Sequence, residues 1–138
     1  MNNVEKREIA NKYLQKIKII DAGLRTMTNE LMKEKANQQH YVSTYKVDKY
    51  DPKNYERAVK LLTQKSMELA EQKLEIVNQI MSLDNSLRVE FLLYHYVEGK
   101  TIAEIADLQH YSYSQSLRTK KKALNDFYEN ILDKREIR

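Results

Sequence analysis

The sequence predicts an all-α protein: a long, coiled-coil-like helical hairpin over residues 1–84, then a helix-turn-helix unit over residues 85–138. Three observations carry that expectation. Only two glycines and one proline occur in 138 residues, too few turn formers for an extended β architecture. Two long stretches repeat apolar residues at helical spacing. The C-terminal part instead falls into short helical patterns separated by capping residues.

The first long pattern covers residues 4–38. Ala10, Tyr13, Ile17, Ile20, Leu24, Met27 and Leu31 alternate spacings of three and four and form an apolar heptad seam. Gly23 weakens this helix by about 1 kcal/mol relative to alanine, and its lack of a side chain permits a close helix crossing. Polar residues 33–39 lead into a connection where Tyr41, Tyr45, Tyr50 and Tyr55 cluster. Tyrosines in such a place pack a loop onto helices more often than they bind a ligand. Asp51-Pro52 then reads as a helix start, with Asp51 as the cap and Pro52 in the first helical position.

A second long helix is predicted from about residue 53 to residue 83. Tyr55, Val59, Leu62, Leu69, Ile76, Ile80 and Leu83 keep the heptad period, with Ser66 and Lys73 interrupting it. Leu61, Leu74, Val77 and Met81 widen the stripe, as expected for a helix with more than one neighbour. Two seams with a short connection predict an antiparallel hairpin. The alternative is that each seam pairs with a second copy of the chain, giving a homodimer, with Tyr13, Ile17, Ile20, Leu24, Met27 and Leu31 of the first seam as the oligomerisation face. Residues 82–85 break the pattern.

In the C-terminal unit, Phe91, Leu92, Leu93, Tyr94 and Val97 give the first helix a core face. Gly99 closes it, where a residue able to take positive φ is wanted. Thr101 is placed to cap the next helix, with Glu104 completing a capping box. Ile102, Ile105 and Ala106 face inward. The turn His110-Tyr111-Ser112 follows, and Ser112 is placed to cap a third helix. Residues 108–125 hold no Asp or Glu, while Arg118, Lys120, Lys121 and Lys122 are basic. DNA affinity comes largely from phosphate neutralisation, so an acid-free basic helix behind a turn points to double-stranded DNA as the partner, with this helix in the major groove.

Composition narrows the other possibilities. The formal net charge is +4 and no cysteine is present, so neither disulfides nor thiolate zinc sites are available. No apolar run approaches the ~18 residues of a membrane span, and the first residues, MNNVEKRE, lack a signal-peptide core. A cytoplasmic protein without membrane contact is expected. His40, His95 and His110 sit in separate segments without metal-ligand spacing, and neither a Gly-rich phosphate loop nor a nucleophile motif is found. An enzyme is therefore not expected, nor is a cofactor or metal. His95, among Phe91, Leu92 and Tyr96, reads as a packed helix residue.

From about residue 45 onward the chain resembles a known group. The segments SLDNSLRVEFLLYHYVEGKTIAEIADLQHYSYS and KKKALNDFYE are similar to phage and prophage transcriptional regulators of the ArpU and RinA type, and to a related family of proteins of unknown function. The C-terminal halves of those proteins are similar to region 4 of sigma-70 factors. The likeness is carried by Leu83-Asp84, Arg88, Tyr96-Val97-Glu98-Gly99-Lys100-Thr101, Glu104-Ile105-Ala106, Tyr111-Ser112-Tyr113, Arg118 and Lys122-Ala123-Leu124. It implies a sigma-70 region 4-like helix-turn-helix and an activator of late, packaging or lysis genes of a phage, prophage or related mobile element in a bacterial host cell.

The chain departs from that pattern in two places. Gln109 stands where an apolar residue is usual in the turn approach. Ser116 and Thr119 fall on positions that the family buries, and Leu117 is the apolar residue instead. At 100° per residue, Tyr113, Leu117, Leu124, Tyr128 and Ile131 define one inward direction. Ser116, Ala123 and Phe127 define another, about a quarter turn away. The first phase exposes Gln115, Arg118, Thr119 and Lys122; the second exposes Ser114, Arg118 and Lys121, with Gln115 beside them. The expected DNA-binding set across both is Lys100, Thr101, Ser112, Tyr113, Ser114, Gln115, Arg118, Thr119, Lys121 and Lys122. The competing function is a helical adaptor that engages RNA polymerase or another phage or host regulator through a degenerate helix-turn-helix. Polar Ser116 and Thr119 favour it, and the acid-free basic helix opposes it.

Overall fold

The computed structural model describes residues 1–45 and 52–136, and every regular element among them is helical. The helices are α1 (Asn3–Leu14), α2 (Lys16–Tyr45), α3 (Pro52–Met81), α4 (Ser86–Leu92), α5 (Ile102–Gln109), α6 (Tyr113–Phe127) and α7 (Asp133–Glu136). Short π-helical segments, Leu93–Val97 and Tyr128–Leu132, prolong α4 and α6. The first predicted helix runs further than expected, to Tyr45. Residues 33–39 are polar but contain no glycine or proline, so nothing in them breaks a helix. Pro52 opens α3, as its fixed φ predicts. The predicted cap Asp51 lies outside the described residues, as do Tyr50 and the side chains of Tyr41 and Tyr45.

The chain divides into two compact units, residues 1–18 with 73–138, and residues 19–72. A boundary near residue 84 was expected. The difference lies in α1, which packs on α6 and on the π-helical segment that follows it.

Within residues 19–72, Gly23 faces Leu69. A methyl group built on Gly23 would lie 3.1 Å from Leu69 Cδ1, so α2 and α3 approach closely where the side chain is missing. Ile20 is buried in the same chain.

In the other unit, Asn2 caps α1 by accepting from the Glu5 N–H at 2.8 Å. Ala10, Leu14 and Ile17 have no exposed surface. The Tyr13 ring lies 5.7 Å from Phe127, and its hydroxyl donates to Gln79 Oε1 at 2.7 Å. Tyr13, Ile17 and Ile20 are therefore committed inside one chain, which corrects their expected place on a face between copies. Apolar surface already removed from water gains little by a second partner. Of the same seam, Leu24, Met27 and Leu31 stay half-exposed.

Ile76, Ile80 and Leu83 bury the end of α3, after which Asn85 caps α4 through the Arg88 N–H at 3.1 Å. Phe91, Leu92 and Tyr96 form the centre of this unit with Ile105, Ala123, Leu124 and Phe127.

Candidate nucleic-acid interface

Two capping boxes position the basic helix. Thr101 Oγ1 accepts from the Glu104 N–H at 3.2 Å while Glu104 accepts from the Thr101 N–H at 3.1 Å. The Thr101 N–H, and after it the Thr101 hydroxyl, hydrogen-bond to the ionised carboxylate and hold the Glu104 carboxyl below its usual value. Ahead of Thr101, Gly99 takes φ 72° in the left-handed region, as its position in the sequence predicts. The second box lies at the start of α6. Ser112 Oγ accepts from the Gln115 N–H at 3.1 Å, and Gln115 Oε1 accepts from the Ser112 N–H at 2.8 Å.

The turn between α5 and α6 is a Schellman closure. Tyr111 N–H donates to Ala106 O at 2.9 Å and His110 N–H to Asp107 O at 3.3 Å. His110 occupies its left-handed position at φ 59° and ψ 40°, where glycine is usual. Gln109, the residue that departs from the family pattern, donates its side-chain amide to Leu87 O at 3.2 Å. It ties the turn back to the beginning of α4.

At the start of α6 the structure follows the second phase, while Leu124 and Tyr128 of the first are buried further along. Ser116 has no exposed surface and Thr119 is 7% exposed; Ala123, Leu124 and Phe127 are buried with them. Leu117 is only half-buried. Phe127 is the largest of these side chains, and its burial turns Ser116 and Thr119 inward, where their small size lets α6 sit close to α1, α4 and α5. Thr119 meets its polar requirement by donating to Gln115 O at 3.1 Å. Its expected role as an outward DNA contact is thereby corrected.

Ser114, Gln115, Arg118, Lys121 and Lys122 are exposed, together with Tyr113. They form a continuous cationic and polar face on α6. The hydroxyls of Thr101 and Ser112 are engaged as caps, which leaves them positioning residues for the helices they start. Lys100 is half-buried in the turn before α5, its N–H bound to Tyr94 O at 2.9 Å, and its carbonyl lies 2.9 Å from His95 Nδ1. His95 is packed as expected: its ring meets Tyr96 edge-on at 4.8 Å and Phe91 at 5.7 Å. Burial lowers its pKa below the ordinary value, Lys120 and Lys18 push in the same direction, and the Lys100 carbonyl opposes them.

Beside this face lies a recess that the sequence reading missed. Asn85, Leu87 and Arg88 line it from the start of α4, and Tyr111 from the turn. Gln115, Arg118, Thr119 and Lys122 line it from α6. It thus gathers part of the expected set and leaves out Lys100, Thr101, Ser112, Tyr113, Ser114 and Lys121. Arg88 Nη1 lies 3.4 Å from Asp126 Oδ2. Arg88 stands thirty positions before Arg118, so only the packing of α4 on α6 brings the two together; no local spacing announces it.

No family model, curated protein or solved structure matches this chain. The likeness to phage regulators accordingly rests on the quoted motif residues alone.

Proposed function

We propose that this protein is a sequence-specific, double-stranded DNA-binding transcriptional regulator. In this reading α5 and α6 are the two helices of a helix-turn-helix, and α6 lies in the major groove. The observation that carries it is the outer face of α6. Ser114, Gln115, Arg118, Lys121 and Lys122 are exposed on a doubly braced helix, and no acidic residue interrupts residues 108–125. Such a face neutralises phosphates and offers arginine and amide groups for base edges. Its proposed role as an activator in a phage, prophage or related element comes from the resemblance.

The adaptor alternative drew on the polar Ser116 and Thr119. Both lie on the inner face of α6, so they subtract nothing from the surface that would meet DNA. RNA polymerase remains a proposed second partner, because one helix-turn-helix surface can serve both. The reading also includes a homodimer on repeated half-sites, which multiplies the affinity of a single unit.

Binding of the full chain to random duplex DNA at rising salt tests the proposal. For a DNA reader the log of the affinity falls linearly with log salt, and an adaptor binds negligibly even at low salt. Crosslinking and sequencing of bound DNA in the host would then yield the operator, while sedimentation with and without DNA tests the dimer.

A further inference from the structure

We infer that the recess between the start of α4 and α6 seats a phosphate of the nucleic-acid backbone, and that Arg88 is a ligand of that phosphate alongside Lys122, with Arg118 lining the same recess on its way to the outer face of α6. The inference rests on the DNA-binding reading and deepens it by assigning a contact to a residue outside the basic helix.

Three cations from two helices converge on one concavity. Among the described residues lining it there is no carboxylate, whereas the side chains of Asn85, Gln115 and Tyr111 add neutral hydrogen-bonding groups. Asp126 meets Arg88 from outside the recess, at 3.4 Å, so the cations facing the recess have no carboxylate within it; like charges so placed repel, and an anion entering the recess relieves that cost.

Arg88 is held in place by one ion pair that engages only one end of its guanidinium. One guanidinium nitrogen meets Asp126 at 3.4 Å, with the Arg88 side chain 32% exposed. Asp126 is itself braced by Asn130, whose Nδ2 donates to Asp126 Oδ1 at 2.5 Å and to Asp126 O at 2.9 Å. A guanidinium has five N–H donors in a fixed fork. A single long contact at one end leaves the fork available for the paired oxygens of a phosphate.

The shape favours backbone over base. A side chain that reads a base projects from a convex surface into a groove, whereas a concave, cation-lined seat receives a protruding phosphate. Phosphate contacts from an element outside the reading helix, here α4, fix its register on the duplex and carry no sequence information themselves.

The test uses the full chain, comparing wild type, Arg88→Gln and Arg88→Lys on specific and random duplexes across a salt series. Thermal melts confirm that each variant is folded. Arg88→Gln should weaken both duplexes by the same factor and make the salt slope shallower by about one unit. Between about 50 and about 200 mM salt the wild type then loses about 3.5-fold more affinity than the variant. Arg88→Lys keeps the charge and should keep the slope while binding less tightly.

Wild-type binding with an unchanged slope in folded Arg88→Gln overturns the phosphate seat and leaves the DNA reading standing. Loss confined to the specific duplex overturns it too, by making Arg88 a base reader. A wild type that binds no duplex overturns the DNA reading and the seat together. Titration with inorganic pyrophosphate separates the remaining source: tight, Arg88-dependent binding without any duplex affinity marks a free-phosphate site and overturns the backbone assignment.

Discussion

The Tyr96 hydroxyl donates to Asn11 Oδ1 across 85 positions of chain, joining α1 to the π-helical segment that prolongs α4. Burial raises the Tyr96 pKa well above the ordinary tyrosine value, so the hydroxyl remains a donor throughout the neutral range. Together with the packing of Tyr13 on Phe127, this bond makes the first helix a structural part of the C-terminal unit.

A fragment consisting of residues 85–138 should therefore fail to melt cooperatively, although it contains the whole predicted helix-turn-helix. In the full chain, Leu14→Ala should cost about 2–5 kcal/mol, the range for a fully buried leucine. Tyr96→Phe should cost about 1 kcal/mol, the value of one buried hydrogen bond. Denaturant titration reads both. A fragment as stable as the full chain would return the boundary to residue 84.

The turn between α5 and α6 carries a correctable strain. His110 holds left-handed dihedrals at φ 59°, a conformation that costs an L-residue roughly 1–2 kcal/mol and glycine almost nothing. Glycine's greater freedom in the unfolded chain offsets part of the gain. His110→Gly should still raise stability, by up to about 1 kcal/mol, and leave the proposed DNA binding intact. Lower stability in the variant would show that the imidazole contributes more than the backbone strain takes away.

The caps of this unit were legible because each is decided within three or four residues. Thr101 with Glu104, Ser112 at the start of α6 and Gly99 at a helix end all follow from side-chain reach and backbone freedom. The phase of α6 was not legible in the same way. Leu117 and Phe127 are both apolar and point in different directions, and only the packing of the whole unit decides between them. Burying Phe127 turns in Ser116, whose hydroxyl has no hydrogen-bond partner among the described residues. Local polarity argued against that outcome, and tertiary packing overrode it. The place of α1 and the recess around Arg88 depend on contacts between distant segments, which periodicity does not report.

Under the proposed reading, Arg118 and Lys122 separate two kinds of contact. Arg118 projects from the outer face of α6, one turn past the capped start. Arg118→Ala should weaken specific binding by about 1–3 kcal/mol where its fork meets a guanine. Lys122, at the rim of the recess, should act on phosphate: Lys122→Ala lowers specific and random affinity together and flattens the salt slope by about one unit. Quantitative binding of folded variants to both duplexes distinguishes them. Unchanged binding by Arg118→Ala, or a purely specific loss in Lys122→Ala, would reverse the assignment.

His95 should make the fold acid-sensitive. Its half-buried ring lies against Phe91 and Tyr96, with Nδ1 2.9 Å from the Lys100 carbonyl. Burial is the main cause of its lowered pKa, and the nearby charges of Lys120 and Lys18 add to it. The folded protein thus prefers neutral imidazole, while the unfolded chain takes up a proton near pH 6.5. The unfolded state binds more protons in that window, so stability rises with pH there. The contribution is complete above about pH 6.5 and is lost as pH falls from that value through the lower folded pKa. Melting the wild type and His95→Gln at steps between about pH 7.5 and about pH 5 isolates it, since the other titrating groups are shared. The wild type should lose more stability than His95→Gln over the acidic part of the series, and the two curves should run parallel above neutrality. Parallel curves over the whole range would mean that the imidazole takes up its proton equally well in the folded and unfolded chain, which burial against two aromatic rings argues against.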